Sequence, residues 1–107
     1  MSRERPPDTY LSIRQRHQKL AKAVEDLGKA AKSAGPVDEQ TAQLIQLAAA
    51  ATLRSEGAVH SHTRRALEAG ADAEAIRHAI ILLTSTVGFP TVVAALSWAD
   101  DVIDAGR

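Results

Sequence analysis

The stretch Gln40-Thr41-Ala42-Gln43-Leu44-Ile45-Gln46-Leu47-Ala48-Ala49-Ala50-Ala51-Thr52-Leu53 decides the fold class. It contains neither glycine nor proline and is built mainly of Ala, Leu, Ile and Gln, a composition that favours helix. Its apolar residues fall on nearly every side of a helical wheel. Helices of that kind occupy the centre of a bundle or a contact between subunits. Asp38 stands where it can cap the N-terminus, which predicts a helix over about 39–54.

Helical signals continue on both sides. Residues 1–7 read as a flexible tail closed by Pro6 and Pro7. Asp8 or Thr9 can cap a long helix running to about residue 33, where Gly35-Pro36 ends it. Its apolar seam is Tyr10, Ile13, His17, Leu20, Val24, Leu27 and Ala31, with steps of three and four, so it suits packing across another long helix. Beyond the central stretch, Gly57 breaks the pattern and a third helix is expected over about 58–69, closed by Gly70. Asp72 caps a fourth over about 73–86. Gly88-Phe89-Pro90 is a sharp break, and Pro90 suits the first turn of a last helix over about 91–104. The expectation is an all-α bundle of five or six helices, a single domain over residues 8–107. Two of these helices are apolar on most faces, and 107 residues offer little interior to hide them. A homo-oligomer in which subunits bury each other's helices follows.

Composition agrees and excludes several functions. Alanine is about a fifth of the chain and aromatics only 3%. There is no cysteine, so a disulfide framework, a cysteine zinc site and a thiol nucleophile are all excluded. No apolar run reaches the roughly 18 residues of a membrane helix, and the opening MSRERPPDTY lacks the apolar core of a signal peptide. A cytoplasmic protein without a membrane or nucleic-acid partner is expected. Formal net charge is zero, but residues 1–34 carry +4 and residues 35–107 carry −4. The split is read as a solvated basic face or as a helix that docks on an acidic surface.

Chemistry concentrates in Ser55-Glu56-Gly57-Ala58-Val59-His60-Ser61-His62-Thr63-Arg64-Arg65. On a helical wheel Val59, Thr63, Ala66 and Leu67 make the apolar face. His60 and His62 fall on its two flanks, about 160° apart. Helical zinc sites place histidines at i and i+4, so His60 and His62 do not readily chelate one metal from this turn and no metal site is assigned; a metal held by His60, His62 and Glu56 of adjoining subunits is a third reading. Glu56 reads as a helix-start charge. His62 is either a core-edge histidine with one hydrogen-bond partner or a general acid/base at a cleft mouth. Gln43, if buried, must find a partner. Thr84, Ser85 and Thr86 either line the same cleft or bond the local backbone.

His62-Thr63-Arg64-Arg65-Ala66-Leu67-Glu68-Ala69-Gly70, followed by Glu74-Ala75-Ile76 and the Gly88-Phe89-Pro90 break, resembles the carboxymuconolactone decarboxylase and alkylhydroperoxidase D superfamily over about residues 37–105. The resemblance implies an alkylhydroperoxidase D-like (AhpD-like) helical bundle, assembled as a homotrimer or homohexamer. The peroxidase branch uses Cys-x-x-Cys-x-x-x-His with an upstream glutamate. Anchored on His62, the cysteine positions fall on Ser55 and Ala58 and the glutamate position on Gln43, so disulfide-linked peroxide reduction is excluded. The decarboxylase branch keeps a His-x-Arg element, matched by His62 and Arg64. Its acidic stretch before the histidine is replaced here by Gly57-Ala58-Val59-His60, as in a cysteine-free subgroup.

The resemblance implies a cofactor-free lyase or isomerase acting on a small carboxylated lactone or organic acid. His62 and His60 are the candidate catalytic residues; Arg64, Gln43, Glu56 and Ser55 are the candidate substrate-binding residues. The wheel separates Arg64 from His62 by about 160°, so the two would share a site only across a subunit interface. The alternative is a non-catalytic oligomer of the same superfamily that binds a small ligand or a partner.

Overall fold

The computed structural model describes residues 8–105. The expected tail, 1–7, lies outside the described residues, as do residues 106–107. Seven helical segments follow one another: α1 (Asp8–Arg16), α2 (Gln18–Ser33), α3 (Glu39–Thr52), α4 (Glu56–Glu68), α5 (Ala73–Ile81), α6 (Thr84–Val87) and α7 (Phe89–Ala105). No strand occurs among the described residues. These are the five expected helices, two of them interrupted; α4 starts two residues earlier than expected, so Gly57 lies within it and does not break the pattern.

The core lies between α3, α4, α5 and α7, with α3–α4 and α4–α7 the most extensive contacts. Leu47 of α3, Val59 of α4, Ile76 and Ile80 of α5 and Ala95 and Ala99 of α7 are all fully buried. Small alanines at these contacts let the helix backbones approach closely. Local chemistry sets the element ends. Asp38 accepts from the Thr41 amide at 2.8 Å and Asp72 from the Ala75 amide at 2.7 Å, each satisfying a helix-start donor. Gly70, at φ +98°, closes α4 in a left-handed conformation. Its amide reaches Leu67 O at 3.1 Å and the next amide, Ala71, reaches Ala66 O at 3.0 Å, the paired bonds of a Schellman motif.

Two expected helices are broken. The N-terminal helix is interrupted at His17, whose φ −130° and ψ 64° are not helical. Neither α1 nor α2 buries a residue, so tertiary packing does not hold this long helix to one straight course. The expected 73–86 helix stops at Ile81 and resumes at Thr84. There the Thr84 hydroxyl donates to the Ile81 carbonyl at 2.7 Å, a local bond that competes with the helical ladder.

Candidate functional site

His62 lies in α4, half-buried, facing α3. Its Nδ1 is 2.9 Å from Oε1 of Gln43, which is fully buried. Gln43 Nε2 donates to Glu39 Oε1 at 2.8 Å, and Lys32 Nζ donates to the same oxygen at 3.0 Å. The result is a continuous chain from Lys32 at the end of α2, through Glu39 and Gln43 one turn apart on α3, to His62.

The chain has a fixed direction. A carboxylate only accepts, so Gln43 must turn its amide nitrogen to Glu39 and its oxygen to His62. His62 Nδ1 therefore carries a hydrogen, and in the neutral ring Nε2 holds the basic lone pair. Burial is the main influence that lowers the His62 pKa from its ordinary 6.5; the positive charges of Arg65, Lys32 and Arg64 add to it in that order. Glu39 is held below its ordinary range, first by the Gln43 hydrogen bond and then by Lys32. A neutral imidazole with one defined basic nitrogen, in a cationic surrounding, can exchange a proton with an anionic ligand.

The other expected residues are dispersed. His60, on the opposite flank of α4, places Nε2 3.0 Å from Asp101 Oδ2 on α7, so the two histidines face different neighbours as the wheel predicts. Glu56 is the exposed first residue of α4, on the His60 side. Ser55 precedes α4, half-buried, and makes no side-chain cap. Arg64 is half-buried, and its charge reaches His62 within one protomer, though Arg65 and Lys32 act more strongly. Gln43 is buried behind His62, which gives it the partner its burial demands. Of the threonine and serine run, Thr84 bonds local backbone. Sequence reasoning missed Lys32 and Glu39. The i, i+4 spacing of Glu39 and Gln43 was the available signal for the second. A cavity of about 210 Å³, lined largely by Ala31, Val37, Ala42 and Ile45, opens beside Lys32 between α2 and α3.

Compared with known protein families, residues 18–101 match the carboxymuconolactone decarboxylase family. The chain belongs to this family. The match takes in α2 through most of α7, hence the whole Lys32–His62 chain. The all-α bundle is the AhpD-like fold expected of a carboxymuconolactone decarboxylase family member. The chain is also similar to the uncharacterized protein MJ1511 of Methanocaldococcus jannaschii, 30% identical over 91 residues that cover 85% of each chain. No solved structure gives a significant match.

Proposed function

We propose that the protein is a cofactor-free lyase or isomerase of small carboxylated lactones or related organic acids, with His62 Nε2 as the proton-transfer group. The observation that carries this reading is the hydrogen-bonded chain behind His62. A merely structural histidine needs one partner; here the partner is itself buried and oriented by a carboxylate, which leaves Nε2 as the basic nitrogen. In a decarboxylation, Arg64 or Arg65 holds the substrate carboxylates. The carbon–carboxylate bond breaks, carbon dioxide leaves, and its electron pair stays on the ring carbon. That carbon takes a proton from His62 Nε2–H, and the imidazole regains one from solvent. An arriving anion offsets the surrounding positive charge and favours the protonated ring needed for this step. Glu39, Gln43 and Lys32 are positioning residues. Ser55, Glu56 and His60 have no assigned step within one protomer; they enter a site only if a neighbour's α4 approaches.

Self-assembly is part of the reading. Leu20, Val24 and Leu27 are exposed at 57%, 58% and 69%, in a stripe on a basic helix, while the rest of the chain is acidic. A second copy covers such a stripe with matching charge. No helix of the described residues is long and apolar enough to cross a membrane. The reading places the assembly in the cytoplasm, with an organic acid as ligand.

The test is carbon dioxide release from carboxymuconolactone by purified protein, with His62→Ala as control and its assembly checked by light scattering. Release that falls at least about 100-fold in an intact His62→Ala assembly supports the proposal. Release unchanged by the substitution refutes the role of His62, and no release by the wild type favours the non-catalytic ligand-binding alternative.

A further inference from the structure

The flank of α4 opposite His62 carries a second group of ligating side chains. Glu56 and His60 stand at i and i+4, so they project from the same face of the helix. Asp101 reaches them from α7, forty-one residues further along the chain from His60. One donor atom from each of the three lies within 4.8 Å of the others, and His60 Nε2 is 3.0 Å from Asp101 Oδ2.

We propose that Glu56, His60 and Asp101 bind a divalent cation of the zinc class. The inference is independent of the reaction proposed for His62, which lies on the other side of the helix. Three features support it. The first is spacing: two donors at adjacent corners of a tetrahedron about 2.1 Å from an ion stand roughly 3.4 Å apart, so the His60–Asp101 hydrogen bond, at 3.0 Å, opens by only a few tenths of an ångström when the ion replaces its proton. Closing the third donor onto the ion needs only a small rotation of Glu56, whose side chain is on the surface. The second is charge, since a neutral imidazole and two carboxylates together carry −2 and balance a dication. The third is rigidity. His60 follows Val59 and Asp101 precedes Val102, both fully buried, so the backbone positions of two donors are set by the core rather than by a loop.

The donor set also selects among cations. An imidazole nitrogen suits zinc and its first-row neighbours, whereas magnesium and calcium prefer oxygen throughout. Three protein donors leave at least one position for water. A bound ion ties the first turn of α4 to the last turns of α7.

Titration calorimetry of tag-free, chelator-treated full chain with Zn²⁺ tests the site. The expected result is one ion per chain, undisturbed by millimolar Mg²⁺. Binding should weaken at least tenfold in Glu56→Gln and in Asp101→Asn, and be lost in His60→Ala. His62→Ala should bind as the wild type does. Zn²⁺ should also raise the Tm of the wild type and leave that of Asp101→Asn unchanged, a readout that does not involve activity. Glu56 and Asp101 are exposed, so their amide variants keep the fold. Absence of saturable binding overturns the proposal. So does binding that survives His60→Ala, or that is lost in His62→Ala, because the ion then sits on other histidines.

Discussion

Glu39 accepts hydrogen bonds and cannot donate them, and that chemistry orders every contact behind His62. The amide of Gln43 has one orientation, Nδ1 of His62 carries the hydrogen, and Nε2 of the neutral ring is left with the lone pair. Burial of the ring has a second consequence, in stability. The folded pKa of His62 lies below the unfolded value near 6.5, so around and below that pH the unfolded state binds more protons. The stabilisation is fully present above the unfolded value and is lost as pH falls through the folded one. Tm measured from about pH 7 down to about pH 5 should therefore decline in the wild type and decline less in His62→Gln. Equal slopes in the two proteins would show that the ring does not lose protonation on folding. A separate acid loss follows at lower pH, where Asp38 and Glu39, both held below their ordinary values by hydrogen bonds, take up protons.

Helices α3 and α4 end with the same hydrogen-bond pattern and different residues. At the end of α3 the Arg54 amide reaches Ala51 O and the Ser55 amide reaches Ala50 O, both at 3.0 Å. At the end of α4 the same pair of bonds surrounds Gly70. Arg54 thus occupies, at φ +53°, a left-handed position that glycine adopts without steric cost. Its guanidinium compensates in part by donating to Thr91 Oγ1 at 2.9 Å, an exposed bond of small net worth. Arg54→Gly should raise stability by about 1 kcal/mol in chemical denaturation. Gly70→Ala should lower it by about 1–2 kcal/mol, because φ is +98° and a Cβ there meets Gln40 Nε2 at 3.3 Å. An opposite sign in either variant would show that the turn relaxes rather than holding its conformation. This connection also spaces α4 from α3, and so sets the distance from His62 to Gln43.

The molecule divides into a packed bundle, α3 to α7, and a basic N-terminal arm, α1 and α2, whose substantial contact is between its own two helices. The radius of gyration, 14.1 Å, exceeds the about 13 Å of a compact domain of this length. Lys32 belongs to that arm, so the chain behind His62 depends on where α2 ends. The uncovered apolar stripe on this arm is the face on which the proposed self-assembly rests. Val24→Glu combined with Leu27→Glu should reduce the solution mass measured by light scattering, while the thermal transition of the bundle persists. An unchanged mass would place the subunit contact elsewhere.

Periodicity and end chemistry in the sequence were enough for the all-α class, the caps Asp38 and Asp72, the Gly70 stop, and the buried face of α4 through Val59, Thr63 and Ala66. The missing cysteines sufficed to exclude thiol chemistry. Such features depend on neighbours within a few residues, where geometry follows directly from spacing. His62 and Gln43 were legible as candidates, one as a histidine at the edge of an apolar face and the other as an amide in an apolar helix. Their contact was not legible, nor were Lys32–Glu39 and His60–Asp101. Each of these pairs is brought together by the crossing of two helices or the path of a loop, and a slightly different rotation of either helix would part them. The same holds for the interruption at His17, which has no proline or glycine to announce it. No core contact along α1 and α2 opposes it, which only the arrangement of the described residues reveals.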